Sequence, residues 1–313
     1  MMQLEKNSLK GEIKMDNEKM LKEALEQGIE YYKKGRILVW HDEFDGDKLD
    51  MDKWVFHRTM STADRIYDNS EKNCRVENGE VHMQSHRTDD PEHPFTLSEG
   101  LTTKFTMNWK YGYLEMRAKV PYRHGAWPSF WTQSSTVFKT TPWMAEADIF
   151  EVFSNDSGLA SALHKWGYSQ HCSVGGGWYK VGEPETINEE YHIYGYEWNP
   201  EYMAFFVDGK EQWRTPIDAV NGNFKHEVID GTSGFHDFQF IIFNNELFTE
   251  GSSWKPNGWA INDDDQFPID YYIDWVRLYQ NPEKEELKLK PEIDEVIAQK
   301  KAEEEAKAKE ENK

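Results

Sequence analysis

Apolar and polar residues alternate with a period of two through the middle of the chain. In Gly112–Val120, Leu114, Met116, Ala118 and Val120 fall on one face. Tyr113, Glu115, Arg117 and Lys119 fall on the other. That is the pattern of a strand with one buried side. Asn78-Gly79 separates Cys74-Arg75-Val76 from Val81-His82-Met83, and Asp208-Gly209 separates Met203–Val207 from Glu211–Trp213. Asn-Gly and Asp-Gly pairs accept the positive φ of tight hairpin turns, so each marks a hairpin. Further strands are predicted over 238–244 and 271–279. Turn signals recur every ~8–12 residues and long helical periods are missing there, which predicts an all-β sandwich or barrel of antiparallel strands. Residues 36–281 form a length that suits one large sandwich, and no repeat of ~20–50 residues is visible.

The pattern changes at both ends. Residues 1–35 are charged and predicted as a helical extension: Asn17 is a candidate cap, and Leu21, Ala24, Leu25 and Gly28 share a stripe. Residues 282–313 are dominated by Glu, Lys and Ala, with Pro291 as a helix-starting residue, and read as a solvated helix or tail.

Composition narrows the function classes. The net charge is −21 over 313 residues, which opposes nucleic-acid and anionic-membrane binding. Trp, Tyr and Phe number 13, 15 and 17, too many for a disordered chain. No apolar run approaches the ~18–20 residues that span a bilayer. Cys74 and Cys172 read as free thiols, as two cysteines cannot build a disulfide framework. The opening residues lack the ~7–15-residue apolar core of a secretory leader, so the chain as written reads as cytoplasmic. A trimmed leader or a leaderless export route would look the same. A monomer is expected.

The most informative segment is Trp143–Phe153. Glu146, Asp148 and Glu151 lie in an otherwise apolar strand, and acids in a buried strand are costly unless paired or working. Glu146 and Asp148 share a face, whereas Glu151 falls on the opposite one. One inserted residue, a β-bulge, would bring Glu151 back. Retaining cleavage of a glycosidic bond needs two carboxyls ~5–5.5 Å apart, one to attack and one to move a proton. A third carboxyl between them would keep a neighbour protonated.

The motif Glu146-x-Asp148-x-x-Glu151 resembles the bulged signature of glycoside hydrolase family 16. Stretches 39–46, 49–54, 75–83, 111–120, 125–133, 191–211 and 271–280 are similar to that family's ordered segments. The resemblance implies a jelly-roll sandwich of two antiparallel sheets with a concave cleft. It implies Glu146 as nucleophile, Glu151 as acid/base and Asp148 as helper. Ala147 stands where a branched aliphatic residue is usual, no Gly adjoins Glu146, and residues 57–73 depart from the laminarinase pattern. These departures touch the substrate more than the reaction.

Stacking of sugars on rings, with polar groups between, makes Trp127, Trp131 and Trp143 candidate cleft residues. The alternation Ser129, Trp131, Gln133 puts Trp131 opposite the core-facing Phe130. Alternation of small residues into His164 and Trp166 makes those two candidates, and the resemblance adds Asn244. Core packing is the competing reading for each tryptophan. The resemblance also implies a structural Ca²⁺ with Glu43, Gly79 and Asp274 as ligands. Catalysis is expected to need no cofactor. His171-Cys172 lacks a second ligand pair at zinc spacing, and Asp263–Asp265 lacks EF-hand spacing. Gly175-Gly176-Gly177 lacks a phosphate-loop context and reads as a flexible loop. The expectation is an endo-acting retaining β-glycanase on a polysaccharide, β-1,3- or mixed-linkage β-glucan first. A galactan hydrolase, a transglycosylase and a non-catalytic glycan-binding protein stand as alternatives.

Overall fold

A computed structural model describes residues 18–57, 62–134, 143–155, 158–167, 171–181, 184–220, 234–252 and 258–290. The strands form two sheets. In the outer sheet the order runs Lys210–Pro216, Tyr202–Val207, His192–Trp198, Gly112–Lys119, Ile269–Gln280, Glu80–Arg87, Phe95–Leu97, Arg65–Tyr67. In the inner sheet it runs His171–Tyr179, Leu159–Gly167, Trp143–Val152, Ala126–Ser134, Gln239–Leu247, Leu101–Thr102, Val55–Phe56. The arrangement is a jelly-roll sandwich, and its path shows no closed barrel.

Alternation builds the core between the layers. Leu114, Met116 and Ala118 of the outer sheet meet Ala145, Ala147, Phe150 and Val152 of the inner sheet in one buried cluster. Phe150 lies 4.4 Å from Tyr194, ring centre to ring centre. Both predicted hairpins form. Asn78 and Gly79 take φ of 57° and 79°, and Asp208 and Gly209 take 49° and 74°.

The sandwich runs past both boundaries drawn from composition. Tyr32 pairs with Ile37 and Lys33 with Arg36, so residue 35 lies inside a hairpin turn. Glu286–Leu289 pairs with Met107–Lys110, inside the segment read as a tail. The helix of residues 18–27 packs Met20, Leu21 and Ala24 against Tyr113, Phe206 and Tyr279 of the outer sheet. Leu25 departs from the predicted stripe and is 68% exposed. Gly28 leaves it too: at φ 71° it ends the helix, while the Ile29 amide donates to the Ala24 carbonyl at 2.8 Å. Asn17 and Pro291 lie outside the described residues.

The strand Trp143–Val152 contains the inserted residue that its acids require. Asp148 and Glu151 pair with Ala162 and Ala160, three steps against two. On the other side Phe150 pairs with Phe130 and Asp148 with Trp131, leaving Ile149 unmatched. The Ile149 carbonyl, freed from the ladder, accepts the Ser161 hydroxyl at 2.7 Å. Ala145, Ala147, Phe150 and Val152 therefore face the core while Glu146, Asp148 and Glu151 face the other way.

Two stability predictions follow from these contacts. Ser161→Ala leaves the bulge carbonyl without its donor, which should cost ~1–3 kcal/mol in denaturant unfolding. Glu115 is fully buried and held by Lys33 Nζ at 2.8 Å. Burial raises the Glu115 pKa and Lys33 opposes that rise. Lys33→Met should cost about 2–3 kcal/mol near neutral pH, less than a fully buried pair because Lys33 is partly solvated. Without Lys33 the native state binds the Glu115 proton more tightly than the unfolded chain does. The deficit should therefore shrink as pH falls toward the ordinary value of 4.5, read from urea melts across pH.

Candidate active site

A cavity of about 700 Å³ opens on the face of the inner sheet that carries the three acids. The neighbouring strands supply its walls. Ala126–Ser134 and Gln239–Leu247 bring Trp127, Ser129, Trp131 and Asn244 to one side. Leu159–Gly167 and the edge strand His171–Tyr179 bring His164, Trp166 and His171 to the other.

Each glutamate receives an indole N–H from a different wall. Trp127 Nε1 donates to Glu151 Oε1 at 2.9 Å. Trp166 Nε1 donates to Glu146 Oε1 at 3.1 Å. Trp131 Nε1 and Ser129 Oγ both donate to Asn244 Oδ1, at 2.9 and 2.8 Å, which turns the Asn244 amide nitrogen away from them. His164 Nε2 lies 3.0 Å from Asp148 Oδ2, although its angle falls outside hydrogen-bond geometry and that oxygen has no hydrogen-bond partner among the described residues. His164 Nδ1 lies 2.7 Å from His171 Nε2, and the Trp166 ring stacks on His171 at 3.7 Å.

Burial pushes all three acids up together. Burial pushes Glu151 up to about 8, the Asp148 charge adds to the rise, and the Trp127 N–H and His164 oppose it. Burial, then Asp148, raises Glu146, and His164 and the Trp166 N–H pull it back. Asp148 is raised by burial. Like charges this close cannot all ionise, so protons are shared within the group.

Among the predicted cleft residues, Trp127, Trp131, His164, Trp166 and Asn244 line this cavity with Glu146, Asp148 and Glu151. Trp143 opens the acid strand opposite Gly167, and its side chain lies outside the described residues. His171 and Phe153 join the wall without having been predicted there. The signal for His171 was its parity with Ser173 along a strand, opposite the core-packed Cys172 and Val174. It was hidden because Gly175-Gly176-Gly177 reads as a loop, whereas all three glycines belong to the edge strand His171–Tyr179. Gly177 carries φ 80°, and a Cβ on Gly176 would meet the Trp213 ring at 2.5 Å.

The implied Ca²⁺ ligands do not fit a cation. Both Glu43 oxygens accept from Arg277, at 3.0 and 2.7 Å, and Glu43 also meets His41 at 3.0 Å. Asp274 is paired with Arg117. Gly79 serves the hairpin turn. A metal between these acids would have to displace two guanidinium groups. Among the described residues, Glu146, Asp148 and His164 form a group whose ligand-type atoms lie within 4.8 Å of one another. A cation there would occupy the carboxyls that share protons in this cavity.

Comparison with known proteins agrees with this architecture. The chain is 29% identical to the clotting factor G alpha subunit of Tachypleus tridentatus over 252 residues, covering 78% of this chain and 34% of that protein. It is 26% identical to glucan endo-1,3-beta-glucosidase A1 of Niallia circulans over 273 residues, covering 79% and 38%. The chain thus spans little more than a third of either relative's length. The solved catalytic domain of an endo-1,3-beta-glucanase (laminarinase) from Thermotoga petrophila RKU-1 superposes with a TM-score of 0.62 at 25% identity, over 79% of this chain and 98% of that one. Residues 61–239 match the pattern of glycosyl hydrolases family 16, and with the fold and the three acids in place the chain belongs to that family.

Proposed function

We propose that the protein is an endo-acting, retaining β-glycanase whose preferred substrate is a β-1,3- or mixed-linkage β-glucan. The observation that carries this reading is the bulge at Ile149, which gives Glu146, Asp148 and Glu151 one shared face beneath a cleft walled by indoles. The names of the two glucanase relatives support the choice of glucan. The acidic chain, at −21, is a poor match for a sulfated polymer.

In the first step the Glu146 carboxylate attacks the anomeric carbon as the bond to the leaving oxygen breaks. Glu151, protonated at neutral pH because burial raises it, passes its proton to that oxygen. The sugar is then bonded to Glu146. In the second step Glu151, now a carboxylate, takes a proton from water as the water oxygen attacks the same carbon, and Glu146 is released. Asp148 sits between the two and holds a proton against Glu146, so that the nucleophile keeps its charge when the ring is bound. The walls stack on the CH faces of the sugars, and the Asn244 amide offers N–H donors to their hydroxyls.

Glu146→Gln should lower kcat on β-glucan by about 10³-fold or more, the scale of losing a nucleophile, while oligosaccharide binding by calorimetry persists. Absence of reducing ends from the unaltered protein across a panel of glucans and galactans would remove the hydrolase reading. Trp127→Phe removes the N–H that opposes protonation of Glu151. Its pKa then rises further, and the basic limb of the kcat/KM profile should move upward by roughly 0.5–1 unit. An unmoved or downward-shifted limb would take the acid/base role from Glu151.

A further inference from the structure

Cross-strand pairing lines up one row of residues at right angles to the strands of the inner sheet. Asn244 pairs with Ser129, Ser129 with Glu151, Glu151 with Ala160, and Ala160 with Trp178. On one side of Glu151 the row holds Ser129 and Asn244, both part of the cavity wall. On the other side it crosses Ala160, which has almost no bulk, and reaches Trp178 on the edge strand. Neighbouring strands lie ~4.8 Å apart, so Trp178 stands about 10 Å from Glu151 along the row, a span of about two sugar rings.

Trp178 is 49% exposed, the most open tryptophan among the described residues. It is not a loose surface ring. The cavity-lining Phe153 meets it edge-on at 5.2 Å. Phe153 in turn stacks on Trp259 at 5.6 Å, and Trp127 stacks on Phe248 at 4.6 Å in the same aromatic group. The indole is therefore braced by Phe153 and half open to solvent. Half-exposed, an indole forgoes burial that a purely structural ring would gain. A bulge places it there: Ala160 and Ala162 pair with Trp178 and Gly175, so one extra residue sits on the edge strand. That extra residue returns the Trp178 side chain to the face shared with His171 and the acids.

We infer that the cleft continues over Ala160 to a sugar-binding subsite at the sheet edge, where Trp178 stacks on a ring of the substrate chain about two units from the bond that is cut. The inference rests on the glycanase reading of the cavity and extends it to chain length. The occupant is a neutral glycan arm with an apolar CH face, since the row from Glu151 to Trp178 offers a ring and an alanine but no cation. The subsite sets how much the enzyme gains from a long chain over a short one.

The test is a length series of β-glucan oligosaccharides, with kcat/KM measured for the unaltered protein, Trp178→Ala and Trp178→Phe. One ring face is expected to be worth about fivefold to tenfold. The advantage of the longest over the shortest cleavable oligosaccharide should shrink by that factor in Trp178→Ala, mostly through KM, and recover in part in Trp178→Phe. Melting curves check that both variants fold. An equal loss at every length, or an unchanged length dependence, would overturn the subsite while leaving the hydrolase reading intact. Should the unaltered protein cut none of the series, the glycanase reading fails separately. Calorimetric titration with the same oligosaccharides then decides the subsite: weaker binding of long members by Trp178→Ala upholds it, and unchanged or undetectable binding overturns it.

Discussion

The arrangement depends on one extra residue in one strand. Period-two geometry sends positions 146 and 148 to one side and 151 to the other, and no choice of rotamer reverses that. Inserting Ile149 between matched pairs reverses it for every residue that follows, which also returns Phe150 and Val152 to the core. The apolar side and the acidic side are thus corrected by the same step. The Ile149 carbonyl, displaced from the ladder, would be an unsatisfied buried acceptor without Ser161. The acid strand is consequently specified by its neighbour as well as by itself.

Around that strand the protein uses indoles in two ways. Their faces make the walls, and their N–H groups tune the acids, Trp127 toward Glu151 and Trp166 toward Glu146. Each N–H favours the charged form of the carboxyl it touches, against a burial that favours the neutral form. The two glutamates are treated alike in this respect, each meeting one indole N–H and the charge of His164. His164 and Trp166 both restrain Glu146, and the histidine is itself held by His171.

Much of this was legible in the chain. Parity sets Glu151 opposite Glu146 and Asp148, so a bulge is what the three acids need in order to share a face, and Asn78-Gly79 and Asp208-Gly209 mark turns because few other residues take positive φ. What escaped did so for physical reasons. The edge strand His171–Tyr179 contains three glycines, which show no polarity and so erase the alternation by which strands are read. An edge position also has one neighbour to satisfy, so a weak strand former survives there. Glu286–Leu289 alternates Glu, Leu, Lys, Leu on an edge, where Leu287 packs on the core while its neighbours meet solvent, so charge is no sign of a tail. Gly28 sits at helical spacing from Ala24, yet its backbone freedom makes it a stop signal rather than a member of the stripe. The acids' roles came from family likeness: residue types alone do not say which glutamate attacks.

The glycine-rich border of the inner sheet bears on how the molecule meets its own kind. A sheet margin with unpaired amides and carbonyls is a template on which a second chain can add. Here that margin is interrupted by a bulge, an extra residue opposite Ala160–Ala162 with a left-handed backbone at Gly177. A straight incoming segment would lose register at this bulge. The irregularity that turns Trp178 toward the groove also makes this margin a poor seed for polymer growth, so a surface built to receive glycan discourages strand-on-strand aggregation.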